Sequence, residues 1–92
     1  MSKVEAIEIC RIYNNSDIEA LNYIYPRLTE SKDRDLCERL ITLNNETDLG
    51  WGREPHTIDE AEEYYNGKWR LLSIFGIEND MGDAKVDGVF YQ

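Results

Sequence analysis

Residues 55–77, PHTIDEAEEYYNGKWRLLSIFGI, carry the two clearest structural signals in the chain. Thr57 and Glu60 have the spacing of a capping box, in which the threonine hydroxyl accepts from the N3 amide and the glutamate reaches back to the N-cap amide. A helix is therefore expected from Ile58. Asn66-Gly67 reads as its end, because glycine tolerates the left-handed conformation that closes many helices. Beyond it, Trp69, Leu71, Leu72, Ile74, Phe75 and Ile77 form the one long apolar run, rich in aromatic and branched side chains. That composition predicts a buried strand over residues 68–77.

Toward the C-terminus, Glu78-Asn79-Asp80-Met81-Gly82-Asp83 is dense in turn formers. Ala84 to Tyr91 reads as a second strand with Val86, Val89, Phe90 and Tyr91 as apolar members, and Gly88 inside it suggests a bulge or an edge position. The expected unit is a hairpin of 68–77 with 84–91. Two strands alone are marginal in water, so the hairpin must lie on helices or find a third strand.

Toward the N-terminus, residues 3–13 place Ala6, Ile9, Cys10 and Tyr13 on one helical face, although Ile7 and Ile9 flanking Glu8 leave a strand as the alternative. Asn14-Asn15-Ser16 breaks this segment. Asp17 to Tyr25 reads as a second short helix ended or kinked by Pro26. Ser31 caps a third, with Asp33 and Asp35 in its first turn and Leu36, Cys37, Leu40, Ile41 and Leu43 on its apolar face. This helix is expected to fade at Asn44-Asn45. Residues 46–56 form the longest irregular piece, where Gly50 and Gly52 bracket Trp51. Trp51 is either an anchor folded onto the core or an exposed contact for a partner. The expected fold class is α+β: three to four short helices packed on a C-terminal antiparallel β-hairpin, with residues 1–92 as a single small acidic domain.

The formal charge is −9 over 92 residues, and it is uneven. Residues 1–45 hold 8 acids against 6 bases, whereas 46–92 hold 11 against 4. Such a surface is repelled by nucleic acid and by anionic membranes, which leaves cationic or neutral partners. The sequence has no run of 18 apolar residues, so no membrane span is expected. Acids interrupt the N-terminal stretch where a signal peptide needs an apolar core. Cys10 and Cys37 are too few for a disulfide framework, and a cytoplasmic setting is expected.

Catalytic signatures are missing. His56 is the only histidine, just before the helix cap, and no nucleophile signature surrounds either cysteine. One histidine and two distant cysteines lack transition-metal spacing. The acids of 78–87 suggest a calcium loop, yet alignment to an EF-hand from Asp83 puts Lys85 at the third ligand position. No phosphate-binding glycine loop, GxSxG or HExxH occurs. The expectation is a protein that is not an enzyme and uses no metal and no cofactor.

What remains is the acid distribution. Asp59, Glu60, Glu62 and Glu63 cover one side of the helix from Ile58. A solvated face favoured by the helix dipole accounts for them adequately. The functional reading joins them to Glu46, Asp48, Glu54, Glu78, Asp80, Asp83 and Asp87 as an array that imitates nucleic-acid phosphates before a basic protein. Asp59, Glu60, Glu62, Glu63, Asp80 and Asp83 are the expected charged contacts, with Trp51 and Tyr64 as apolar anchors. By size and charge alone, the functional type is that of small phage-encoded blockers of restriction or CRISPR enzymes. The alternative is an assembly subunit that self-associates through the hairpin edge at Val86, Val89 and Tyr91.

Overall fold

Four helices and a three-stranded antiparallel sheet make up the α+β fold, in a computed structural model that describes residues 2–47 and 57–92. Helix α1 (Lys3–Asn15) starts at Ser2, whose hydroxyl accepts from the Glu5 amide at 3.2 Å. It buries Ala6, Ile9, Cys10 and Tyr13, the face that a 3.6-residue period selects, so the strand alternative is not adopted. Ser16 is extended and separates α1 from α2 (Asp17–Ile24), which buries Ala20, Leu21 and Ile24. Pro26 then converts the chain to a 3₁₀ turn at Tyr25–Arg27, after which Leu28 enters the core.

Helix α3 (Ser31–Thr47) runs past Asn44-Asn45, where the sequence suggests that it fades. Asn44 is buried, and its side-chain oxygen accepts the Tyr64 hydroxyl at 3.0 Å. That bond satisfies a polar group the core would otherwise reject.

Residues 68–77 are not a strand. Helix α4 (Ile58–Ile74) begins at the expected cap, with the Thr57 hydroxyl accepting from the Glu60 amide at 3.1 Å, and continues through Asn66-Gly67. Tyr64, Lys68, Leu71, Leu72 and Phe75 form a buried stripe at helical spacing. Gly67 is a packing notch instead of a cap. A Cβ there would sit 2.9 Å from Leu40 Cδ2 and 3.2 Å from Leu36 Cδ1, so the missing side chain is what lets α3 and α4 approach. The closing glycine is Gly76, at φ +74. The Ile77 amide reaches the Leu72 carbonyl at 3.1 Å and the Gly76 amide that of Ser73 at 3.1 Å, the paired bonds of a Schellman motif.

The sheet therefore lies wholly after the helix. Strands β1 (Glu78–Asp80), β2 (Asp83–Val86) and β3 (Val89–Phe90) follow the order β1-β2-β3, with Asp80 opposite Asp83 and Val86 opposite Val89. Two-residue turns join them. Met81 (φ 52) with Gly82 (φ 91), and Asp87 (φ 52) with Gly88 (φ 77), have the positive φ pair that suits the twist of tight hairpins. Gly88 thus closes a turn and splits the expected 84–91 strand, where a bulge or edge was anticipated.

Asn14 ties helix α1 to the sheet and to the C-terminal segment by three hydrogen bonds. Asn14 Oδ1 accepts from the Ala84 amide at 2.9 Å, while its Nδ2 donates to the carbonyls of Ala84 at 3.0 Å and Tyr91 at 2.8 Å. The Cys10 thiol adds a 2.9 Å contact to the Ala84 carbonyl. Ala84 and Val86 complete the core beside Ile9, Leu71 and Leu72.

Candidate functional site

The antiparallel run of α3 and α4 brings the end of the first to the start of the second. Arg39 on α3 meets Glu63 on α4 through two hydrogen bonds, at 3.0 and 3.3 Å. Glu63, then Glu46 and Glu60, stabilise the Arg39 charge and raise its pKa. Glu63 is the carboxylate in contact with this cation among the described residues. Asp59 and Glu62 stand exposed on the next positions of α4 and form no ion pair among the described residues. Glu60 is half-buried, with Oε2 enclosed and without a hydrogen-bond partner among those residues.

The hairpin acids are more fully compensated. Lys85 lies 3.5 Å from Asp80 and 3.8 Å from Glu78, and Lys3 lies 2.9 Å from Asp87. Asp83 is exposed and unpaired among the described residues. Asp48, Glu54, Trp51 and His56 lie outside the described residues. Of the expected contacts, Asp59, Glu62 and Asp83 are open acids, Glu63 and Asp80 are ion-paired, and Glu60 is turned partly inward. Tyr64 is no surface anchor: it is fully buried and bonded to Asn44.

The sequence reading passed over Lys68. This lysine is only 3% exposed, pairs with Asp17 at 2.7 Å, and lies 4.9 Å from the ring centres of Tyr13 and Tyr64 and 5.3 Å from that of Tyr65. Burial lowers its pKa, and the hydrogen bond and charge of Asp17 oppose the shift. Burial also raises the Tyr13 and Tyr64 phenols well above the usual range, with the negative charge of Asp17 adding to it. The available signal was a lysine within the stripe of Tyr64, Leu71 and Leu72, where a charge needs a partner from another element.

Beside this cage the outer flank of α4 faces the β1–β2 turn. Tyr65 and Trp69 are 41% and 43% exposed there, and Met81 at the turn is 98% exposed. Two adjoining depressions of about 680 and 370 Å³ share Trp69 and Gly82 in their walls. The opposite flank of α4, around Gly67, mixes Lys32 and Arg70 with Asp33 and Glu63. The charge imbalance thus belongs to the start of α4 and its outer flank.

Among the described residues no helix is long and apolar enough to cross a membrane, and no group of three or more His, Cys, Asp or Glu side chains is arranged to hold a metal ion. No family model, curated protein or solved structure matches this chain.

Proposed function

We propose that the protein is a non-catalytic acidic interaction module or inhibitor that docks on a basic surface of a nucleic-acid-binding protein, occupying ground that phosphates would otherwise take. One observation carries the reading: Asp59 and Glu62 at the start of α4 are exposed and unpaired among the described residues, while Glu63 beside them is the one acid there that meets Arg39. Like charges three or four positions apart on a helix repel by a few tenths of a kcal/mol per pair. A cationic surface would relieve that repulsion on docking. Opposite charge would also steer the encounter and make it sensitive to salt.

The test is capture from a host lysate, eluted with rising salt, in the presence and absence of duplex DNA. Capture of a nucleic-acid-binding protein that DNA displaces is the expected result. Asp59→Lys/Glu62→Lys/Asp83→Lys should weaken capture by at least about tenfold while retaining the helical circular dichroism. Equal capture by that variant would refute the charge argument, and capture that DNA does not displace would refute mimicry.

A second reading is supported by the exposed edge strand β3, where Val89 and Phe90 are half-exposed. Edge strands are open to pairing with another chain. Val86 lies in the core and cannot contribute to that contact. A dimer in light scattering that persists in high salt would favour self-association, and a monomer would favour the acidic module.

A further inference from the structure

The groove between the outer flank of α4 and the β1–β2 turn has features that general acidity does not explain. Trp69 and Tyr65 show their rings at one wall, and Met81 stands almost fully exposed beside Gly82 at the other. Methionine is a poor choice for that turn. Its φ of 52 suits glycine, asparagine or aspartate, so hairpin stability does not account for a bare apolar side chain there. A residue held in a sparsely populated conformation points to a role beyond folding.

The charges around the groove select its occupant. Glu78 lines the groove and shares Lys85 with Asp80, and Asp83, which follows Gly82 of the groove wall, is exposed and unpaired among the described residues. Glu62 lies three residues before Tyr65 and seven before Trp69, on the same side of α4. At the inner end, Asp17 is committed to Lys68, whose ammonium group already fills the space among Tyr13, Tyr64 and Tyr65. An incoming lysine would find the ammonium position taken. A guanidinium group can instead lie flat on the Trp69 and Tyr65 rings and pair sideways with a carboxylate. The molecule uses this combination internally: Arg27 stacks 3.7 Å from the Tyr23 ring centre and pairs with Glu5.

We infer that this groove receives an arginine side chain from a cationic partner segment, the guanidinium stacking on Trp69 and Tyr65 while Met81 covers the adjoining apolar part. The inference rests on the acidic-module reading and names the chemistry at its centre.

Two peptides of equal charge, octa-arginine and octa-lysine, provide the test. In a Trp51→Phe background Trp69 is the only tryptophan, and its fluorescence reports on the groove. The expected result is that octa-arginine shifts Trp69 emission and binds at least about tenfold more tightly than octa-lysine, a preference beyond what charge alone supplies. Trp69→Ala and, independently, Met81→Asn should remove most of that preference and leave a weaker, salt-dependent binding. The asparagine variant keeps the turn chemistry, so its loss of preference could not be assigned to misfolding. Equal affinity of the two peptides, or an unchanged preference in both variants, would overturn the arginine site and leave the acidic-module reading intact. Failure of both peptides to bind at low salt would overturn the two together.

Discussion

At the scale of single residues, Asn14 and Met81 sit at opposite ends of the stability scale. Asn14 looks like a helix breaker in the sequence but is the side chain that ties α1 to β2 and to the C-terminal segment. Replacing it with leucine leaves the Ala84 amide, in a fully buried residue, without its partner. A buried unsatisfied group costs roughly 1–3 kcal/mol. Asn14→Leu should therefore lose about 2–3 kcal/mol in urea unfolding, with faster amide exchange in β2. Met81 works in the other direction. A left-handed conformation costs a non-glycine residue about 1–2 kcal/mol, and asparagine tolerates it better. Met81→Asn should raise stability by about 1 kcal/mol, which is roughly 4–8 °C in melting temperature for a domain of this size. An unchanged or lower midpoint would remove the strain argument.

At the scale of elements, α4 decides the architecture, and the glycine inside it and the one just past its end do different work. Gly76 adopts a left-handed conformation with open space around it, whereas Gly67 has ordinary helical geometry with Leu40 and Leu36 pressed against it. Gly67→Val would press a branched side chain against the fully buried Leu40 and the partly buried Leu36, and overpacking typically costs about 1–3 kcal/mol. Helix propensity returns only a few tenths, because valine is a poorer helix former than alanine. A net loss of more than about 1 kcal/mol is expected by chemical denaturation. Gly67→Ala separates the contributions: a gain near 1 kcal/mol would mean that Leu40 yields easily and that the notch is not needed. The cap of α4 was legible, as were the apolar faces of α1 and α3. Ser31, however, is the first residue of α3 instead of its cap, and α2 buries Ala20, Leu21 and Ile24 instead of a face through Ile18 and Tyr25. The strand assignment to 68–77 failed because a short apolar run fits either period until its partners are known. The Asp87-Gly88 turn was legible in principle, since Asp-Gly between Val86 and Val89 is a strong hairpin signal.

At the scale of the whole molecule, the buried charge and phenols around Lys68 make stability depend on alkaline pH. Tyr13 and Tyr64 have folded pKa values above those of an unfolded chain, which lie near roughly 10. Their contribution is present in full below that pH and is lost as pH rises toward the folded values, because the unfolded state releases protons first. Lys68 acts oppositely. Its lowered pKa means that the unfolded chain holds the proton more firmly, so its contribution grows as pH rises toward roughly 10.4. Two phenols oppose one ammonium, and stability should fall above about pH 10. In a spectrophotometric titration of the 6 tyrosines, Tyr13 and Tyr64 should ionise only as circular dichroism reports unfolding. Ionisation of all six before any structural loss would show that these rings are not enclosed.

The same scale separates what local pattern determines from what needs the assembled chain. Sequence alone determined the α+β class, the positions of three helix starts and the acidic excess of the second half, because caps, period and charge act over a few neighbouring residues. Only the tertiary structure decided that α4 continues through Gly67, that Tyr64 belongs to the core, that Lys68 is caged, and that Lys3, Arg39 and Lys85 neutralise part of the expected acidic surface. Each of those outcomes depends on which distant side chain arrives alongside, and a preference worth a few tenths of a kcal/mol yields to packing and desolvation worth several.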